Sequence, residues 1–112
     1  MTDIVYPFTN AASSGGGGGG VIYTSAIIIT ATTSGTGSTW VTLPSQACNA
    51  LDLVNNTGTA IEYRRGGAGS SIPLPDRSSR LIVAITNTNQ LQIRRVDQSN
   101  ATVTITGEAI TQ

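Results

Sequence analysis

Between Gln46 and Ile110 short apolar and polar residues alternate with a period of two, and clusters of turn-forming residues break the alternation at regular intervals. Leu91 and Ile93 alternate with Gln92 and Arg94, and Val103 and Ile105 alternate with Thr102, Thr104 and Thr106. Such a period sends one set of side chains to a core and the other to water or a partner. The pattern predicts antiparallel strands over Ala47–Val54, Thr59–Arg65, Arg80–Thr86, Gln90–Val96 and Ala101–Ile110. A spacing of about 8 to 12 residues between strands is that of a sandwich or barrel. The turns have local causes: Gly58 can take a positive φ, Pro75 pre-sets φ for Pro-Asp-Arg-Ser, and Asp97 and Asn100 can bond their own backbone.

The first half is also β-forming. Val21–Thr33 reads as one run in which Ile27, Ile28 and Ile29 are adjacent, which predicts a strand buried on both faces. Ser34-Gly35-Thr36-Gly37 predicts a turn, and Ser38–Leu43 a further strand centred on Trp40 and ended by Pro44. Trp40 and Ile28 are expected in the core or at a subunit contact. No segment has a helical period. The fold class is therefore all-β: an antiparallel β-sandwich or jelly-roll-like barrel of about seven strands with an extended N-terminal arm. The arm and its tether occupy residues 1–20 and the β-sandwich domain residues 21–112. Ile4, Val5, Tyr6 and Phe8, set around Pro7, form an apolar docking peptide, and Gly15–Gly20 is a flexible tether with nothing to pack.

The charge distribution adds a constraint. The 112-residue chain suits a single domain; its net charge is zero and only 11% of its residues are charged. That balance argues against binding nucleic acid or an anionic membrane, which both draw on a surplus of positive charge. From Ile4 through Leu51 there is no Asp, Glu, Lys or Arg, and the whole chain has no lysine. Exposed strands are normally guarded by charge, so this half needs cover, and the expectation is that other chains supply it. The N-terminus has neither the basic region nor the apolar run of a signal peptide, and Ala26–Ile29 is too short to span a bilayer. Synthesis in a cytoplasm is expected. Asn55-Asn56-Thr57 and Asn100-Ala101-Thr102 fit a glycosylation sequon but are read as turn chemistry.

Candidate chemistry is sparse. The hexaglycine lacks the following lysine and the helix that a phosphate loop needs. With no histidine and only Cys48, zinc sites and histidine-based triads are excluded by counting, and Cys48 reads as a small buried apolar residue. Asp52, Glu62, Asp76, Asp97 and Glu108 are scattered singly, and Asp97-Gln98-Ser99-Asn100 has the composition of a turn more than of a calcium loop. No enzyme activity, cofactor or metal is expected. The arginines are patterned: Arg64-Arg65 and Arg94-Arg95 are doublets on predicted strands, so one member of each points inward or sits at a strand end or contact. They are expected to pair between strands or subunits with acids such as Asp52, Glu62 and Asp97; the alternative is solvated charge at strand ends. The expected partner and oligomer interface comprises Ile4, Val5, Tyr6, Phe8, Tyr23, Trp40, Arg64, Arg65, Arg94 and Arg95.

Asn56-Thr57-Gly58, Ile61-Glu62-Tyr63-Arg64-Arg65-Gly66-Gly67 and Arg94-Arg95-Val96-Asp97 with Ser99-Asn100, together with the Gly-tethered arm ahead of a Thr-rich body, resemble small structural proteins of tailed-bacteriophage virions. The resemblance implies a capsid decoration (cement) protein: a β-sandwich homotrimer at the capsid surface that binds the major capsid protein or another virion protein and stabilises the shell without catalysis. A tail- or fibre-associated receptor- or glycan-binding module, with Trp40, Tyr23 or Tyr63 stacking a sugar, is the other expectation. Few aromatic residues are present to build it.

Overall fold

The computed structural model describes residues 24–67 and 69–112. The arm and tether, with Ile4, Val5, Tyr6 and Phe8, and also Tyr23, lie outside the described residues. Among the described residues eight strands are formed: β1 (Ser25–Thr32), β2 (Val41–Thr42), β3 (Ala50–Asn55), β4 (Ile61–Arg65), β5 (Ile72–Leu74), β6 (Ser78–Val83), β7 (Leu91–Arg95) and β8 (Thr104–Thr111). They make two four-stranded antiparallel sheets in the orders β1-β8-β3-β6 and β2-β7-β4-β5. β1 pairs with β8, β2 with β7, β3 with β6 and β4 with β5. The chain is thus one long hairpin rolled over itself, which is the jelly-roll arrangement, and β3·β8 and β4·β7 pairing closes each sheet.

The fold is the expected all-β sandwich, with one more strand than the pattern suggested. The additional strand is β5, whose central Pro73 breaks the apolar signal. β5 is tolerated because it lies at the edge of its sheet, where a missing ladder donor costs little. The core fills the space between the sheets: Leu51, Leu53, Ile82, Ile105 and Ala109 from the first meet Ile61, Tyr63, Leu74, Leu91 and Ile93 from the second. Every member sits at an alternate position of its strand, so the period of two seen along the chain is the period of the core.

One expectation is corrected. Burial of both faces of β1 does not occur in the single chain: Ile29 packs against the core, whereas Ile28 points outward and is 62% exposed. A two-layer sandwich covers only the inner face of each sheet, and β1 is also an edge strand, so even inward-phased Ile27 is half exposed.

Two polar devices hold the ends of the sandwich. Asn55, fully buried at the end of β3, donates from Nδ2 to the carbonyls of Thr59 (2.8 Å) and Leu74 (2.9 Å), and its Oδ1 accepts from the Thr57 amide and hydroxyl. It thereby fixes the β3–β4 turn, in which Gly58 takes φ 91°, and ties that turn to the edge strand β5. Elsewhere the Gly37 amide donates to Asn100 Oδ1, and a Cβ at Gly37 would stand 2.0 Å from the Gln98 carbonyl oxygen. Only glycine lets these two loops approach so closely. Cys48 is buried, and burial pushes its thiol up despite the backbone hydrogen bond at Ala50, in keeping with an inert packing role.

Candidate functional site

The outer faces of the two sheets differ in chemistry, and the difference follows from register. On the β1-β8-β3-β6 sheet the outward residues form rows across the strands: Ala26, Ile110, Ala50 and Val83, then Ile28, Glu108, Asp52 and Leu81, then Thr30, Thr106, Val54 and Ser79. Ile28, Val83, Leu81 and Val54 are 62%, 53%, 50% and 39% exposed, so four of the six exposed large hydrophobic side chains among the described residues share this face. No basic residue stands in these rows. Asp52 and Glu108 lie side by side in their centre, an arrangement of like charges that disfavours the strand pair.

The outer face of the β2-β7-β4-β5 sheet is polar. Extending the register by one residue gives one row of Thr42, Gln92, Arg64 and Ser71 and a second of Trp40, Arg94, Glu62 and Pro73. The guanidinium carbons of Arg64 and Arg94 stand 4.3 and 4.4 Å from the centroid of the Trp40 ring. Arg64 Nε donates to Gln92 Oε1 at 2.8 Å, and Gln92 Nε2 in turn donates to the Thr42 hydroxyl at 3.2 Å. Arg94 pairs with Glu62 at 2.8 Å and donates to the Ser38 carbonyl, while the Ser71 hydroxyl donates to Glu62 at 2.6 Å. Burial pushes the Glu62 carboxyl up, but the Ser71 hydroxyl and the Arg94 guanidinium outweigh it and hold the group below its ordinary value.

The second member of each doublet lies at the strand end and turns away from this face. Arg65 donates to the carbonyls of Val83 (2.9 Å) and Ala84, bridging β4 to the end of β6. Arg95 forms a two-point contact with Asp97 at 2.9 and 2.8 Å and donates to the Ala101 carbonyl, so it braces the β7–β8 loop. That hydrogen bond holds Asp97 below and Arg95 above their ordinary values, and the Ser99 amide adds to the effect on Asp97.

Of the anticipated acid partners, then, Glu62 takes Arg94 and Asp97 takes Arg95. Asp52 takes no arginine among the described residues, because it stands on the opposite sheet's outer face. Trp40, Arg64 and Arg94 are brought together, and Arg65 and Arg95 are separated from them. Tyr63 is 1% exposed in the core and offers no ring to a sugar. The aliphatic face built from Ile28, Leu81, Val83 and Val54 was missed as a unit: only Ile28 lies in the uncharged stretch before Asp52, and the strand order that gathers the four is not local. Among the described residues no three of His, Cys, Asp or Glu converge as a metal site needs. Comparison of the chain with protein-family models, with curated proteins and with solved structures finds no match.

Proposed function

We propose that this chain is a non-catalytic structural protein that works by association, covering the outer face of its β1-β8-β3-β6 sheet with further copies of itself. The observation that carries the reading is that face: exposed aliphatic side chains from three strands around the Asp52–Glu108 pair, with no basic residue in its rows, on an antiparallel sheet. Apolar area concentrated in this way is characteristic of an interface, and aliphatic residues scattered singly are not. The sequence resemblance extends the proposal to a capsid decoration protein, a homotrimer seated on a phage shell, with the residue 1–20 arm reaching the shell protein. Many weak contacts become avid when a symmetric oligomer repeats them.

Sedimentation of the purified protein at several concentrations, in low and high salt, tests self-association. The expected result is a concentration-independent trimer that Ile28→Ser with Leu81→Ser converts to a folded monomer; a wild-type monomer overturns this part. Shell attachment is tested separately by removing Met1–Gly20, which should leave the body folded and the particles undecorated. Undiminished attachment would show that the arm is not the docking element.

A further inference from the structure

The polar face of the β2-β7-β4-β5 sheet has a property that association through the other face does not use. Its side chains are held in place by one another, and among the described residues its arginines keep donor capacity that the chain does not use. Arg64 is oriented by the Trp40 ring and by its single Nε bond to Gln92, and among the described residues its terminal nitrogens donate to no group of the chain. Arg94 is oriented by the same ring, by Glu62 and by the Ser38 carbonyl, and its Nη2 donates to no group among the described residues. Two guanidinium groups thus stand against one carboxylate. A guanidinium fork fixed in direction, with its terminal edge open, is suited to bond a carboxylate in two points, and prior ordering spares the entropy of arranging it.

We propose that Arg64 and Arg94, backed by Trp40, form a binding platform for the carboxylate of an acidic sugar. The neighbours favour a sugar over a protein side chain. Thr42, Gln92 and Ser71 flank Arg64 along its row, offering hydroxyl and amide groups to a polyhydroxylated ring, and the only aliphatic side chain in the two rows is that of Pro73, at the far end of the second. A protein interface needs an apolar centre, which this face lacks. A neutral sugar stacking on Trp40 is a poorer fit, since both arginines already lie against that ring. The proposal is independent of the self-association reading.

Trp40 is the only tryptophan, so its fluorescence reports on the platform directly. Titration of the full chain with glucuronate is expected to give a saturable change, matched by heat in a calorimeter. Glucose should give none, and acetate, which keeps the carboxylate but lacks the ring hydroxyls, should bind more weakly by about ten-fold, the upper scale of one neutral hydrogen bond. Arg64→Ala should weaken glucuronate binding by about ten-fold or more on the same scale, with Arg64→Lys intermediate because a point charge replaces the fork. Gln92→Ala, which frees Arg64 to swing, should weaken binding with the fold intact by circular dichroism. Glucuronate no better than glucose would overturn the carboxylate role. Acetate equal to glucuronate would mean adventitious anion binding only, and an Arg64→Ala protein that binds unchanged would place the site elsewhere.

Discussion

Asp52 lies directly opposite Glu108 across the β3–β8 pair, and both point away from the core between Ile28 and Leu81. Like charges in direct cross-strand register cost stability, so within the single chain this pair works against the sheet that carries it. Asp52→Asn is therefore expected to raise the stability of the isolated body by about 0.2–1 kcal/mol, read as a higher urea midpoint at unchanged slope. If the oligomer brings a cation over the pair, the same substitution should lower oligomer affinity, so sedimentation and denaturation of one variant move in opposite directions.

Replacing Leu81 by Ser should cost the folded chain little. Its side chain is half exposed, and surface substitutions of this kind stay within about 0.5 kcal/mol. A loss of several kcal/mol in urea denaturation of a monomeric protein would show that Leu81 is a core residue in solution.

Asn55→Ala should be among the most damaging single changes. It removes both donors to the Thr59 and Leu74 carbonyls and the acceptor of Thr57. Each buried polar group left without a partner costs about 1–3 kcal/mol. The expected loss is therefore about 3 kcal/mol overall, with faster hydrogen exchange in the β3–β4 turn and β5 than in β8 as the local signature.

Gly37→Ala drives a Cβ into the Gln98 and Ser99 carbonyls. Relief requires separating the two loops, at a cost of about 1–3 kcal/mol by analogy with overpacking. Thermal unfolding of Gly37→Ala beside Gly35→Ala, where a Cβ meets nothing, isolates the steric effect.

Glu62 makes part of the stability acid-sensitive. Its folded-state pKa lies below the unfolded value, so its contribution is present above the unfolded pKa and is lost as the pH falls through the folded one. Stability should decline on the acid side of the ordinary carboxylate range, and Glu62→Gln should flatten that limb of a pH series of urea midpoints. A wild-type slope retained in Glu62→Gln would assign the limb to other carboxylates, with Asp97, bonded to Arg95, the first to substitute.

The alternation of Leu91, Ile93, Val103 and Ile105 with polar neighbours was enough to give the fold class, the strand count to within one and, for β7 and β8, the side that meets the core, because a strand's side-chain period is set by its own backbone. The same rule dictated that the members of each arginine doublet part company. It could not say which outward residues become neighbours. Ile28 meets Glu108 only because β1 lies beside β8, and Asp52 meets Glu108 only because β3 lies on the other side of it. Trp40, Arg64 and Arg94 likewise gather on one face because β7 runs between β2 and β4, strands separated along the chain and joined by non-local pairing. Local sequence therefore determined what each strand offers to its two faces. The jelly-roll order, fixed by the burial of one shared core between two sheets, decided which of those offerings stand together as a surface.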